Sequence, residues 1–375
     1  MFTTQIQTPP DVIDLGRGDP SLANLPLDLI YASVQERLSG SDNSFLQYGT
    51  EQGDGHFRSA LARFLSKSYS FKVQPENLFI TNGISNALDL TCSLFTQAGD
   101  TIFVEEPSYF LALKIFADHR LNVVTLDTDE NGLIPASLEE KLADSRPKFL
   151  YLIPSFHNPT GRTLSQDRRN RIAELAREHD FLIVADEVYH FLNYGSQTFK
   201  PLAFYTDSEN VISLGSLSKI LAPGLRLGWL QAHPNLIRQF INCGLLDSGG
   251  GLNPFTSAML LHLIESGGLE NNISKLINGY QPRLEIMDTA LRAELPELKY
   301  ARPQGGYFFW LRLPENINSS ELRKTAPAFK VDFRPGALFS SHNELENYIR
   351  LCFVHYEEDK IKEGVLRLKD CLQGN

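Results

Sequence analysis

The sequence predicts an α/β chain in which a largely parallel sheet, covered by helices on both faces, is followed by a second, smaller lobe. Three observations carry this expectation. The chain has 375 residues, too many for one small core and enough for a large domain plus a smaller one sharing a cleft. From about residue 55, helix-spaced segments alternate with compact apolar runs. After Gly251 that rhythm gives way to long helical stretches and then to alternating segments.

Taken in order, residues 55–69 (GHFRSALARFLSKSY) repeat apolar side chains at helical spacing, NLFIT reads as a strand, and SNALDLTCSLF returns to the helical period. TIFVEE, NVVTLD, KFLYLIPS, FLIVADE and NVISLGS are short apolar runs, mostly closed by polar or turn residues. Between two of them, residues 165–179 (SQDRRNRIAELAREH) form a helix with Ser165 as its cap. Strands covered on both faces have this near-continuous apolar composition, and ligands of such sheets gather beyond the strand C-termini. In the second lobe, KYARPQGGYFFWLRLP and NYIRLCFV alternate as antiparallel strands do. No period of a repeat protein and no low-complexity tract interrupts the chain.

Charge and composition narrow the function. The formal net charge is -10, and the densest basic group is Arg168, Arg169 and Arg171, which argues against a nucleic-acid partner or an anionic membrane surface. The start, MFTTQIQTPPDV, has neither a basic beginning nor an apolar core, and no apolar run approaches the length of a membrane span. Cys92, Cys243, Cys352 and Cys371 are scattered without paired spacing, so neither a disulfide framework nor a metal site is expected and the cytoplasm is the simplest location. A small-molecule enzyme fits this profile.

The segment VISLGSLSKILAPGLRLGWL places Lys219 just past a strand, with Ser216 and Ser218 before it and Arg226 after it. Most lysines are solvated surface charges. Lys219 instead sits among apolar residues, where desolvation and nearby positive charge lower the amine's pKa and free it to attack an aldehyde. The neighbouring hydroxyls and the arginine suit a phosphate dianion. Ser-x-Ser-Lys followed by Arg and then Gly resembles the lysine motif of the aspartate aminotransferase superfamily, the fold type I pyridoxal-phosphate enzymes of class I/II, with the 2-aminoadipate and aromatic aminotransferases the branch most alike. The resemblance runs from LGRGDP at residue 15 to the strand containing Arg350.

That resemblance implies a mostly parallel seven-stranded sheet and roles for further residues. Asp186, at the end of FLIVADE, would pair with the pyridine nitrogen, where the bland alternative is an acidic helix cap. Tyr189 and Asn158, the latter in the HNPTG turn, would hydrogen-bond the ring oxygen, and Asn158 would also touch the substrate carboxylate. In TNGISNAL the backbone N–H groups of Gly83, Ile84 and Ser85 open a helix and would take the phosphate, with the Ser85 hydroxyl added. Tyr109, in EEPSYF, would stack on the ring. Arg350, on a strand face shared with Tyr348 and Cys352, suits bidentate capture of the α-carboxylate, which the Gly18 backbone would also contact. Tyr48 matches a tyrosine that reaches the phosphate of the neighbouring subunit, implying a homodimer with shared sites.

The implied division is an N-terminal arm with part of the small domain at 1–45, a pyridoxal-phosphate-binding domain at 46–250, and a linking helix with the C-terminal small domain at 251–375. The implied activity is ping-pong exchange of an amino group between an L-amino acid and a 2-oxo acid through a Schiff base on Lys219. A β-lyase of the cysteine-conjugate type uses the same scaffold and is the alternative. A non-catalytic effector-binding domain is disfavoured because it has no use for Lys219, Asp186, Tyr189, Asn158 and Arg350 together. For specificity, Arg17 is expected to face a distal carboxylate, with Arg334 a weaker candidate and the Gly249 to Gly251 run a mobile loop over the pocket.

Overall fold

The computed structural model describes Pro9 and residues 11–374. The rest of the MFTTQIQTPPDV start considered above, residues 1–8 and Pro10, lies outside the described residues. The larger sheet has seven strands: β1 (Leu78–Thr81), β2 (Thr101–Glu105), β3 (Asn122–Leu126), β4 (Phe149–Leu152), β5 (Leu182–Asp186), β6 (Val211–Ser216) and β7 (Gly228–Ala232). Their spatial order is β1-β7-β6-β5-β4-β2-β3. The neighbours from β6 through β5, β4 and β2 to β3 pair in parallel, and β7 runs antiparallel to both β1 and β6.

Side chains alternate across this sheet and divide the core in two. Phe149, Tyr151, Val184, Ile212 and Leu214 pack in one buried cluster, while Leu150, Leu152, Ile183, Ala185 and Val211 pack in another on the opposite face. Both faces are therefore covered, which is why the strands read as unbroken apolar runs. Helices α1 (Leu27–Ser39), α2 (Gly55–Tyr69), α3 (Ile84–Phe95) and α4 (Gln166–His179) precede the last strands of the sheet, and α5 (Pro254–Glu265) and the long α6 (Gly268–Glu294) follow it.

The second lobe holds a three-stranded sheet of β8 (Phe308–Arg312), β9 (Arg334–Pro335) and β10 (Tyr348–Cys352), with β10 central and antiparallel to both neighbours. Ile13–Asp14 pairs with Val331–Asp332, which ties the N-terminal segment to this lobe. Among the described residues no helix is long and apolar enough to cross a membrane.

Three local details bear on the readings above. Ser165 stands before α4, but its side chain makes no capping hydrogen bond. Asp186 is followed by a turn rather than a helix, so the bland alternative of a helix cap does not apply, and its Oδ1 instead accepts from the Val188 N–H of that turn. Gly249 ends a short helix and Gly250 continues it in a left-handed cap at φ 67°. A Cβ on Gly250 would come within 2.7 Å of the Gly49 carbonyl oxygen, and one on Gly251 within 2.1 Å of the Thr50 carbonyl oxygen. Gly250 and Gly251 thus permit close backbone packing, whereas a Cβ on Gly249 would meet nothing within 4 Å, and none of the three lines the cavity described below.

Candidate active site

The C-terminal ends of β1, β2, β4, β5 and β6 open along one edge of the sheet, as parallel strands require. A cavity of about 600 Å³ lies there, closed on its far side by the N-terminal segment and the second lobe. It is large enough for a cofactor-sized ligand. Each turn that leaves a strand end contributes. After β1 come Ile84 and Ser85, after β2 Tyr109, after β4 Asn158, from β5 Asp186 and Tyr189, and after β6 Ser216, Ser218, Lys219 and Arg226. Gly18, Arg17 and Arg350 enter from the other side.

Lys219 Nζ donates to the Gly18 carbonyl at 2.7 Å and lies 5.4 Å from the centroid of the Tyr307 ring. The Tyr307 hydroxyl in turn donates to the Lys219 carbonyl at 3.2 Å, and Asn272 Nδ2 donates to the carbonyl of Ile220 at 2.8 Å. The backbone under the lysine is thus held from α6 and from the second lobe. Desolvation lowers the Lys219 pKa to about 8.

Asp186 is buried. Its Oδ2 accepts from the Tyr151 hydroxyl at 3.0 Å and its Oδ1 from the Val188 N–H at 3.2 Å. Burial pushes its pKa up to about 6 against those two hydrogen bonds. Tyr189 packs edge-on against Phe308, with ring centroids 5.8 Å apart, and burial raises its phenol well above the ordinary value.

At the start of α3, Gly83 has a φ of 83°, and a Cβ there would stand 2.8 Å from Arg226 Nη2. Glycine is needed at this turn for both reasons. Arg226 donates to the carbonyls of Pro223 and Asn82, each at 3.3 Å. Ser216 Oγ donates to Ser218 Oγ at 2.9 Å and accepts from the Ser218 N–H at 3.0 Å, drawing both hydroxyls to the same wall.

Arg350 is buried on β10. Its Nη1 donates to Asn158 Oδ1 at 2.9 Å and its Nη2 to the Gly16 carbonyl at 2.6 Å, while its Nε has no partner among the described residues. The guanidinium lies 4.0 Å over the Phe308 ring, and burial lowers its pKa to about 10. Arg17 also lines the cavity, but its Nε and Nη2 fork onto Asp19 at 3.1 and 2.7 Å. Arg334 is similarly engaged with Asp14 at 3.2 Å and Asp332 at 3.4 Å.

The cleft therefore gathers the catalytic, cofactor and substrate residues expected from the sequence except Gly83, which packs directly behind it, and Tyr48; the Gly249 to Gly251 run also lies outside its lining. Tyr48 is 79% exposed and borders the Gly250 turn. Sequence reasoning missed Tyr151, Tyr307, Phe308, Asp14 and Asp19. The Tyr151 segment was read only as a strand, and Asp19 lay inside the LGRGDP motif without a role.

Comparison with known proteins gives a consistent result. The family model described as "Aminotransferase class I and II" matches residues 10–368. An aromatic-amino-acid aminotransferase of Thermococcus litoralis is 36% identical over 97% of this chain and 88% of its own. A multiple substrate aminotransferase from Thermococcus profundus superposes with a TM-score of 0.92 at 37% identity, covering 97% of this chain and 92% of its own. The α-aminoadipate aminotransferase of Thermus thermophilus, solved with N-(5'-phosphopyridoxyl)-L-leucine, superposes at 0.89 and 30% identity over 97% and 93% of the two chains.

Proposed function

The chain belongs to the class I and II aminotransferase family and is a pyridoxal-phosphate-dependent transaminase; from that premise we propose the following division of work among its residues. One observation carries it: an amine lowered to about 8 shares one cavity with a buried carboxylate and with two arginines, Arg226 and Arg350, that no carboxylate among the described residues engages.

The residues present fit the cofactor. Arg226 is seated in the space that a side chain on Gly83 would fill, and beside it lie Ser85, Ser216 and Ser218. These groups, with the backbone of Gly83, Ile84 and Ser85, would hold the phosphate. Asp186 would face the ring nitrogen, Tyr189 and Asn158 the ring oxygen, and Tyr109 the ring face. Arg350, Asn158 and the Gly18 backbone would hold the substrate carboxylate, where the orphaned Nε of Arg350 finds an acceptor. When bound, pyridoxal phosphate supplies an aldehyde that condenses with amines and a ring that draws electrons from the amino acid's α-carbon.

Lys219 is both the attachment point and, once displaced, the base. Its Nζ takes the α-proton and gives it up again within the same half-reaction, and a pKa about one unit above neutrality lets it act in both directions. The second half-reaction, with a 2-oxo acid, uses the same residues in reverse order, a ping-pong cycle. The relatives reported above are named for transamination, and no feature of the cavity favours β-elimination. Borohydride reduction of the cofactor-loaded protein followed by peptide mapping should place the adduct on Lys219, and Lys219→Ala should lose both adduct and turnover. An adduct on another lysine would overturn the assignment.

The same reading extends to assembly. Leu22, Leu27, Tyr31, Leu46, Tyr48 and Phe255 are exposed apolar side chains on α1, α5 and the segments beside them, and a second copy of the chain would cover them. Tyr48 would then reach the phosphate of the partner's site. Mixing inactive Tyr48 and Lys219 variants should restore activity if sites are shared, and leave it absent if they are not. Within each chain, 46–250 is proposed as the cofactor domain, with 1–45 and 251–375 forming the arm, linking helix and small domain. The cytoplasm is the proposed location, in keeping with four free cysteines. Aromatic and dicarboxylic amino acids, for which the relatives are named, are the first donors to test.

A further inference from the structure

Tyr151 does not line the cavity, yet its hydroxyl ends on a group that does. It lies fully buried in β4, in register with Val184 of β5, and its ring meets Phe116 edge-on at 5.3 Å. Successive side chains of a strand point to opposite faces, so Tyr151, Val184 and Asp186 share one face of the sheet. The phenol reaches past Val184 toward the strand end and donates to Asp186 Oδ2 at 3.0 Å.

Packing alone does not explain that oxygen. Phe149 and Ile153, on the same face of the same segment, are wholly apolar, and a phenylalanine at 151 would fill the same space. A buried hydroxyl needs a partner, and the carboxylate is the one it has. Burial keeps the phenol's own pKa well above its ordinary value, so it remains a donor throughout the working range.

We infer that Tyr151 is a positioning residue for the amino-group exchange: its hydrogen bond to Oδ2 keeps the Asp186 carboxylate ionised and fixed toward the cavity. The inference rests on the reading of Asp186 as the partner of the ring nitrogen. A carboxylate that loses a donor to its charged form becomes easier to protonate, and a neutral Asp186 no longer favours a positive charge beside it.

The test uses the full chain and two substitutions at this position. Tyr151→Phe removes only the hydroxyl, and site-specific 3-fluorotyrosine strengthens the donor without changing the ring's packing. Asp186 is titrated by infrared difference spectroscopy in the cofactor-free protein, with Asp186→Asn as the blank. Tyr151→Phe should raise the midpoint by about one unit and fluorotyrosine should lower it. In the loaded enzyme the acid limb of the kcat profile should move in the same directions, with KM for the amino donor within about twofold, because Tyr151 touches no substrate. A midpoint unmoved by fluorotyrosine overturns the inference even if Tyr151→Phe fails to fold, and so does a change confined to KM. The titration needs no cofactor, so its outcome is separate from that of the Lys219 adduct, which tests the enzymatic reading itself.

Discussion

In the inner part of the cavity Arg226 donates only to backbone carbonyls and Arg350 to Asn158 and a backbone carbonyl, whereas at the rim Arg17, Arg323 and Arg334 are forked onto Asp19, Asp332 and Asp14. All five line one space. The difference lies in what each guanidinium awaits. Arg350 is buried, and a cation taken out of water without a carboxylate is costly unless an anionic ligand supplies the missing charge; Arg226 is exposed and bears no such cost, but among the described residues no carboxylate covers it. Burial without such a partner pulls Arg350 down to about 10, whereas the hydrogen bond to Asp19 raises Arg17 above its ordinary value. The inner arginines are thus poised for a phosphate and a carboxylate, and the rim arginines already have their counter-ions.

The largest effect should come from breaking the inner set. Arg350→Lys keeps a charge but loses the planar fork, and a lost hydrogen bond to a charged group costs about 1.5–3 kcal/mol. We expect kcat/KM for every amino donor to fall on the order of 100-fold, read by steady-state kinetics across a donor panel. A loss below about threefold would place the α-carboxylate elsewhere. Arg226→Gln should weaken cofactor binding about tenfold or more, measured by fluorescence titration of the cofactor-free protein. Gly83→Ala should weaken it in the same direction, because the added Cβ would strike Arg226 Nη2 at 2.8 Å and sit at a φ of 83°. Binding unchanged in both variants would detach this corner from the phosphate.

A pH prediction follows from Lys219. Its pKa is lowered from 10.5 to about 8, so the reactive neutral amine accumulates as pH rises through 8 rather than through 10.5. Capture of the cofactor by the cofactor-free protein should speed up about tenfold per pH unit below 8 and level off above it. A rate still climbing at pH 10 would mean that the amine is solvated.

The inner set was also the part legible in the sequence. Gly83 to Ser85, Asp186 to Tyr189 and Ser216 to Arg226 are each contiguous stretches at one strand end, so spacing along the chain is nearly spacing in the site. The rim was not legible. Whether Arg334 is free or engaged depends on Asp14, 320 positions away, and no local pattern reveals that pairing. Tyr151 stayed hidden for the same reason, since its meaning lies in a partner on the adjacent strand. Among the strands, β7 was passed over because GWLQA follows the Arg226 turn directly and carries no signal that it runs against its neighbours.

The smallest effect sharpens the comparison most, because it separates an arginine that binds substrate from one that balances a neighbour. Arg17→Ala removes the fork onto Asp19 and leaves that carboxylate facing the cavity, with His355 Nδ1 3.6 Å away on a ring that burial pushes toward its neutral form. A distal carboxylate on the substrate would then meet a fixed negative charge. Dicarboxylic donors should lose about two- to fivefold in kcat/KM relative to aromatic ones, the scale of a partly exposed ion pair. That loss alone does not distinguish the two roles, since direct recognition of the distal carboxylate by Arg17 predicts it as well. The double variant Arg17→Ala, Asp19→Ala does. If Arg17 serves to neutralise Asp19, removing both restores the wild-type ratio of dicarboxylic to aromatic donors, and the two substitutions show a coupling as large as the single effect. If Arg17 holds the substrate, the ratio stays low in the double variant, and the rim joins the inner set as a site for anions.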